Sequence, residues 1–406
     1  MPDSPGLRAA WLLSYLFDVQ LKMFINLQPT LLTWARQRAG LQADALAKKM
    51  GVKVDSVQAW ELTGRLRMSQ VEKLAHVTHT PVGYLYLDTP PVERLPIPDF
   101  RTVGDALLNR PSPDLLETVE VMQRRQAWMR ETLQDEGHEP LTFVGRFRPD
   151  AAITEVAADM RATLDLAGGW AESVSTWTEA LTQLRQHTED LGVLIVINGV
   201  VGNNTRRKLN VGEFRGFALC DQYAPFIFIN GSDAKSAQMF TLAHELAHLW
   251  LGQDGVSNLS DLQPGPAEIE RTCNAVAAEF LIPASALRAC WNEAERAQDP
   301  FKHLARRFKV SPVVAARRAL DLGLVQRDEF FSFHRHYMAE ERRKEDAREG
   351  GGNFWNTQGV RVGQRFGSAV IRAVKDGRLL YRDAYRLTGL SGSTFDSFVE
   401  KFGFSL

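Results

Sequence analysis

The sequence MFTLAHELAHLW, residues 239–250, is the stretch from which both fold and chemistry can be argued. It contains no glycine or proline and is rich in helix formers, so it predicts an α-helix. His244 and His248 then lie on one face of that helix, with Cβ atoms about 5–6 Å apart, where both can bind one Zn²⁺ ion. Glu245 is turned about 100° away from His244. It can therefore act as general base on a metal-bound water, which indicates a peptidase.

The alternative to a metal site is a chance pair of histidines on a buried helix. Leu242, Leu246 and Leu249 flank the histidines and favour burial of this helix. Two imidazoles and a carboxylate that are buried without a metal cost free energy, because buried polar groups need partners. The sequence therefore favours the metal site.

A third protein ligand is expected, and the helical stretch 268–283 supplies the candidates. Glu270 and Asn274 are four residues apart and face the same way. We predict Glu270 as the metal ligand and Asn274 as a residue that orients a histidine ligand. Glu268 lies near the start of the helix, where the helix dipole alone favours a carboxylate. Glu279 falls on a different face, and we interpret it as a solvated charge or a member of a helix ion pair.

Five segments that follow one another in the chain resemble the ImmA/IrrE metallopeptidase family over residues 150–330. They are Phe214-Arg215-Gly216-Phe217, Ile227-Phe228-Ile229-Asn230, residues 240–248, Glu270-xxx-Asn274-xx-Ala277 and Leu281-Ile282-Pro283. The Glu-xxx-Asn spacing also resembles the Glu-xxx-Asp of thermolysin-like enzymes. The resemblance implies a small zincin-type α+β domain with His244, His248 and Glu270 as zinc ligands and Glu245 as the catalytic residue. It also implies that the substrate is another regulator, often a repressor cut under stress, or the chain itself.

One departure from that family is Cys273, which stands where alanine is usual. A cysteine could serve as a soft metal ligand, but a small core residue is the simpler interpretation. Tyr223 is a candidate for stabilising an oxyanion. Strands are predicted over 191–197, 216–221 and 225–230, and we expect 216–221 to be an edge strand that pairs with an extended substrate.

A second motif lies near the N-terminus, where helices are predicted over 43–50 and 54–62 with Gly51 between them. This arrangement is typical of a helix-turn-helix. Residues 31–75 carry eight Lys/Arg against four Asp/Glu in a chain of net charge −1, a local excess that favours phosphate contacts. A capping box of Ser69 and Glu72 is predicted at the start of a fourth helix. The candidate DNA-contacting residues are Lys53, Asp55, Ser56, Gln58 and Arg65.

This second motif resembles the XRE (lambda repressor-like) family. The features that carry the resemblance are Ala45-Leu46-Ala47-xxx-Gly51-Val52, Val57-xx-Trp60-Glu61-xx-Gly64 and Leu74-Ala75. The resemblance implies that the domain binds double-stranded DNA and works as a homodimer. Asp55 would oppose phosphate, and a helical bundle that binds protein is the alternative. Residues 95–101 and 125–128 resemble longer regulators that join an XRE module to an ImmA/IrrE domain.

Composition and patterning predict a multidomain, mainly α protein with one small α+β zincin-like domain. The 406 residues are 44% hydrophobic and 24% charged, as in ordinary globular proteins, and the apolar run 9–17 is too short to span a bilayer. Three cysteines without a C-x-x-C pattern favour a reducing, cytoplasmic setting. The predicted domains are an extension of uncertain origin (1–23), a helix-turn-helix domain (24–88), a Pro-rich connector with a long helix (89–150), the metallopeptidase with a second, basic helix-turn-helix-like unit (151–335), and a hinge with a basic helical module (336–406).

The prediction for the whole chain is a DNA-binding regulator with a zinc-dependent endopeptidase domain, acting in a stress or mobile-element response. The alternative is a DNA-binding repressor or antitoxin-like protein in which the zincin domain is a sensor or a scaffold.

Overall fold

A computed structural model describes residues 23–98, 111–257, 268–346 and 360–404, with backbone alone for 341–346. The chain divides into two compact units. Of the described residues, the smaller unit contains 23–95 and 111–116, and the larger unit contains 96–98 and the chain from Glu117 onward. Most of residues 1–23 and the glycine hinge 350–352 lie outside the described residues. No described helix is long and apolar enough to cross a membrane.

The smaller unit is a bundle of short helices with a two-stranded ribbon. Its elements are β1 (Phe24–Asn26), α1 (Pro29–Arg38), α2 (Ala43–Met50), α3 (Val54–Thr63), β2 (Arg65–Arg67), α4 (Met68–Val77) and a 3₁₀ turn (Val82–Tyr86). Gly51 ends α2 in the left-handed conformation that glycine adopts without strain. The apolar faces of the helices meet in one core that includes Leu46, Val57 and Trp60.

The ribbon of the smaller unit is a feature that sequence patterning does not predict. β1 and β2 pair antiparallel, with Ile25 opposite Leu66. The Leu27 N–H donates to the Gly64 carbonyl at 2.8 Å, and a Cβ on Gly64 would lie 1.9 Å from the Leu27 oxygen. Only glycine therefore fits between α3 and β2.

The start of α4 corrects the predicted capping box. Because β2 continues to Arg67, the helix begins at Met68, and the Arg67 N–H donates to Gln70 Oε1 at 2.8 Å. Ser69 and Glu72 lie inside the helix, so the prediction that they cap it is wrong.

The larger unit is mainly helical and contains one small mixed sheet. The sheet order is β3-β7-β6-β8, with β3 parallel to β7 and β6 antiparallel to both of its neighbours. Its helices are α5 (Pro113–Asp135), α6 (Ile153–Thr163), α7 (Trp177–Asp190), α8 (Lys235–Trp250), α9 (Glu268–Leu281), α10 (Ala284–Glu295), α11 (Pro300–Phe308), α12 (Pro312–Asp321), α13 (Arg327–Asp346), α14 (Gln364–Lys375), α15 (Tyr381–Thr388) and α16 (Ser393–Lys401). Its strands are β3 (Leu194–Asn198), β4 (Val200–Val201), β5 (Asn204–Lys208), β6 (Gly216–Leu219), β7 (Phe226–Asn230) and β8 (Gly255–Ser257).

The position of β6 corrects the expected edge strand. β6 lies inside the sheet, because β8, the strand that follows α8, pairs with the outer side of β6. Val256 of β8 lies opposite Phe217 of β6. The outer side of β8 is in turn covered, since the Val256 N–H donates to the Pro98 carbonyl at 3.0 Å. The neighbouring Ile97 is buried. The prediction that 216–221 forms an edge open to substrate is therefore wrong.

One buried arginine joins α5 to the C-terminal helices. The Arg125 guanidinium donates to the carbonyl oxygens of Leu387 at 2.9 Å, Thr388 and Arg361 at 3.3 Å, and Val362 at 3.4 Å. Burial lowers the pKa of Arg125 to about 10, so the side chain stays charged at neutral pH. Arg125 is thus one of the contacts that hold the predicted C-terminal helical module, beside the Trp128 ring against Phe366 at 5.6 Å and the Arg378–Glu136 pair at 2.9 Å.

We expect Arg125→Met to destabilise the larger unit by about 3 kcal/mol, because carbonyl oxygens that lose a charged donor are left without a partner. Urea unfolding followed by circular dichroism measures this change. Arg124→Met is the matched control, since the Arg124 side chain is 64% exposed and lies 4.0 Å from Glu120. Equal stability of the two variants would contradict the assigned role of Arg125.

Candidate metal centre

Helix α8 is buried over most of its length. Every residue from Gln238 to Trp250 is buried, the polar ones included. At its C-terminal end the Trp250 ring stacks on Phe143 at 4.5 Å, and its Nε1–H donates to Asp159 at 2.7 Å. The polar residues of α8 are therefore buried in the interior of the domain together with its apolar residues.

Three side chains meet where α8 faces α9. His244 Nε2 lies 3.2 Å from Glu270 Oε2, and His248 Nε2 lies 3.0 Å from Glu270 Oε1. The two Nε2 atoms are 3.1 Å apart. Zinc with metal–ligand bonds of about 2.0–2.1 Å in tetrahedral geometry separates its ligand atoms by roughly 3.3 Å. The triangle therefore fits such an ion closely, and among the described residues it is the one group of this kind.

The electrostatics of the group also suit a cation. Burial alone would raise the pKa of Glu270, but the two imidazoles outweigh it and hold the pKa of Glu270 well below its usual range. The carboxylate is therefore ionised. Two imidazoles and one carboxylate are a donor set that zinc accepts.

Asn274 orients one of the histidines. His244 Nδ1–H donates to Asn274 Oδ1 at 3.0 Å. Because this bond keeps a ring proton on Nδ1, Nε2 is the atom that gives up its proton when a metal binds, and it points at Glu270 and His248. Glu270 and Asn274, four residues apart on α9, thus both contact His244, as their spacing predicts.

We expect Asn274→Ala to weaken zinc binding by about 10- to 100-fold, because an unsupported imidazole loses its fixed tautomer and orientation. Competition with a chromophoric chelator measures the affinity. Thr272→Ala, on the same helix and bonded through its side chain to the Glu268 carbonyl, is the control. Unchanged affinity in Asn274→Ala would rule out the orienting role.

Glu245 lies on another side of α8, against strand β6. A Cβ placed on Gly216 would lie 2.8 Å from Glu245 Oε1 and 2.7 Å from Thr241 Cγ2. Glu245 is fully buried and is not part of the three-residue group. This is the rotation away from the histidines that the helix geometry predicts. Gly216 makes room for the carboxylate, and patterning does not single it out beyond its place in the strand.

Two cysteines lie close to the group without joining it. Cys220 Sγ donates to the His248 carbonyl at 3.6 Å, and the Cys220 N–H donates to Asp254. Burial raises the pKa of the Cys273 thiol well above its usual range and also raises that of Cys220. Neither sulfur belongs to the three-residue group, and Cys273 is a core residue.

The remaining predicted positions of the domain are placed as follows. Tyr223 lies half-buried in the turn between β6 and β7, where its N–H donates to Asp221 at 2.9 Å. Glu279 is buried and pairs with Arg318 of α12, so of the two interpretations the solvated charge is wrong and the ion pair is present.

The second helix-turn-helix-like unit corresponds to α11 and α12, with Ser311 capping α12 through Val314 N–H at 3.2 Å. Several of its basic side chains are used internally. Arg307 pairs with Glu172 at 3.0 Å and Arg317 with Asp321 at 2.9 Å. These contacts favour a structural role for the unit.

In the smaller unit, Asp55 and Gln58 of α3 are exposed, as is Lys53, the residue just before the helix, and Ser56 is partly buried. Arg65 stands beyond the other end of the helix, on β2, with its guanidinium 4.6 Å from the Phe24 ring centre. The structure therefore brings the first four candidates together and leaves Arg65 apart.

Two of the arginines counted in residues 31–75 are paired, one of them with a carboxylate that lies outside that count. Arg36 pairs with Glu61 and Arg38 with Glu93, each at 2.6 Å. Lys73 donates to the Met50 carbonyl at 2.7 Å. Of the cations counted in residues 31–75, those that are exposed and outside these contacts are Lys48, Lys49, Lys53, Arg65 and Arg67.

Comparison with known protein families finds matches in the centre of the chain and near its C-terminal end. The family model described as the IrrE N-terminal-like domain (Peptidase_M78) matches residues 188–320, which include the three-residue group and Glu245. A model for a domain of unknown function (DUF8813) matches residues 362–401, the region of α14 to α16. No curated protein matches the chain.

Proposed function

We propose that the chain is a zinc-dependent endopeptidase joined to a DNA-binding module, and that it cleaves a regulatory protein. The observation that carries the proposal is the buried triangle of His244, His248 and Glu270 with Glu245 beside it. The match of residues 188–320 to a peptidase family supports it.

In this proposal His244, His248 and Glu270 hold Zn²⁺. When bound, the ion supplies a Lewis acid that polarises the scissile carbonyl and lowers the pKa of a bound water. Glu245 takes a proton from the attacking water and returns it to the leaving amide nitrogen as the C–N bond breaks. Asn274 keeps His244 in the tautomer that leaves its Nε2 free of a proton.

Metal removal tests the peptidase assignment. A mixed peptide library should be cleaved by zinc-loaded protein, stay intact after treatment with a chelator, and be cleaved again after zinc is restored. Mass spectrometry of the products gives the readout. Cleavage that survives chelation, or a zinc-loaded protein that cleaves neither the library nor any protein of a cell extract, would overturn the proposal.

The DNA-binding module in this proposal is the smaller unit, with α3 entering the major groove. The exposed Gln58 of α3 and Lys53 just before the helix support it, since glutamine can bond bidentately to adenine and lysine to phosphate.

We expect the double change Lys53→Ala and Gln58→Ala to weaken binding to a promoter fragment upstream of the protein's own gene by about tenfold or more. A band-shift titration at moderate salt measures this. Arg94→Ala, an exposed cation outside the helices of this unit, is the control. Equal binding by both variants would refute α3 as the recognition helix.

One observation favours the alternative in which the zincin domain is a sensor or scaffold. His244, His248 and Glu245 are all 0% exposed, and Pro98 covers the outer side of the neighbouring β8. Transcription of the regulated genes in cells that carry Glu245→Gln distinguishes the two functions. A sensor or scaffold keeps its effect on transcription after that change, whereas a peptidase loses it.

A further inference from the structure

A cavity of about 550 Å³ lies at the ends of the two parallel strands β3 and β7. Its wall includes Gly199, which follows β3, and Gly231 and Ser232, which follow β7 and precede α8. The carboxyl ends of parallel strands are where ligands bind in α/β sheets, and the volume is that of a small-molecule site. We call it the β3/β7 pocket.

The lining of this pocket is basic. It includes Arg185, Lys208, Lys235 and Arg361, and no acidic residue. Of the nearby carboxylates, Glu189 pairs with the lining residue Arg185 at 2.6 Å, and Asp233 pairs with Arg215, outside the lining, at 2.9 Å. Within the described part of the chain, three of the four cations thus have no carboxylate partner.

Two of these cations lack an anionic partner among the described residues, and one of them, Arg361, is partly buried. Lys235 Nζ donates only to the neutral Gln238 Oε1, at 3.1 Å, and Arg361 Nη1 is a buried atom without a hydrogen-bond partner among the described residues. Burial lowers the pKa of both Lys235 and Arg361. Uncompensated charge of this kind costs free energy that an entering anion would recover.

The backbone contributes to the same preference. Helix α8 begins at Lys235, so the positive end of its dipole lies at the pocket wall. A Cβ on Gly199 would lie 2.8 Å from the Ser232 backbone nitrogen, so the backbones of the two loops approach closely at this glycine. An apolar wall stands beside the basic one, formed by Leu181, Ile197, Val200 and Val360.

We propose that the β3/β7 pocket binds a small phosphorylated organic molecule, with its phosphate at Lys235 and Arg361 and its organic part on the apolar wall. Lys235 and His244 are separated along α8 by about 13 Å at 1.5 Å per residue. The pocket is therefore distinct from the metal group, while both are built on the same helix.

Isothermal titration of the full chain with adenosine monophosphate, glycerol 3-phosphate, inorganic phosphate and adenosine tests the proposal. We expect at least one of the two organic phosphates to bind more tightly than inorganic phosphate, and adenosine not to bind. Absence of binding by both organic phosphates at millimolar concentration, or binding of adenosine as tight as that of its phosphate, would overturn it.

Variants locate the site. Arg361→Gln should weaken binding at least tenfold, and Lys208→Gln, at an exposed position of β5 where folding is not at risk, should weaken it severalfold. Arg206→Gln is the matched control, an exposed cation on the same strand that does not line the pocket. A loss in the control as large as in the pocket variants would contradict the proposal. Because binding is measured without hydrolysis, the outcome does not depend on peptidase activity.

Discussion

Glu245→Gln is expected to reduce peptide hydrolysis by a factor of about 10²–10⁴, the contribution of a positioned general base. Glutamine has the same shape and fits against Gly216, but it cannot take a proton from water. Since Glu245 is not one of the three side chains that meet at the candidate zinc site, the variant should keep its metal. Steady-state hydrolysis of a cleaved peptide and zinc content by mass spectrometry measure the two effects.

The control for that experiment is Glu268→Gln, an exposed carboxylate at the start of α9. It removes one negative charge from the same domain and should leave hydrolysis unchanged. Wild-type activity in Glu245→Gln would exclude the general-base role. Loss of zinc in Glu245→Gln would instead mean that the carboxylate helps to bind the metal ion and does not act as the base that takes a proton from water.

His248→Ala is expected to abolish stable zinc binding and the stabilisation that zinc confers. A ligand that binds the folded state alone stabilises it by about 4 kcal/mol at a concentration 1,000 times its dissociation constant. Wild-type protein should therefore unfold at a clearly higher temperature with zinc than with chelator, whereas the variant should show the same temperature in both. Thermal unfolding by circular dichroism measures the difference.

His138→Ala is the control for this second experiment, because His138 is exposed and lies outside the metal group. It should keep the zinc-dependent shift. A shift of equal size in His248→Ala would show that zinc acts elsewhere on the chain, and the proposed centre would have to be abandoned.

The candidate site was largely predictable because both of its helices obey the same spacing. Residues four apart on a helix share a face, so His244 pairs with His248 and Glu270 with Asn274. The distances of 3.0–3.2 Å among the three metal-binding atoms follow once the two helices pack. How they would pack could not be derived from spacing, and the choice of Glu270 over Glu268 and Glu279 follows from the helix face that Glu270 shares with Asn274.

What patterning missed are contacts between residues far apart in the chain. β8 has three residues, too few for any alternation to show, and yet it removes β6 from the edge of the sheet. The partner of Arg38 is Glu93, 55 residues away and outside the counted segment, so the count over residues 31–75 overstated the basic surface. Arg125 is likewise explained only by carbonyl groups more than 200 residues downstream.

The segment that covers β8 has a consequence for solubility. A bare outer strand would present unpaired amide and carbonyl groups to other chains, which is how edge-to-edge aggregation starts. Of residues 96–98, only Ile97 retains an N–H, because proline has none. The segment can accept a hydrogen bond from Val256 but offers a further strand almost no donors, so the sheet is closed to growth on this side.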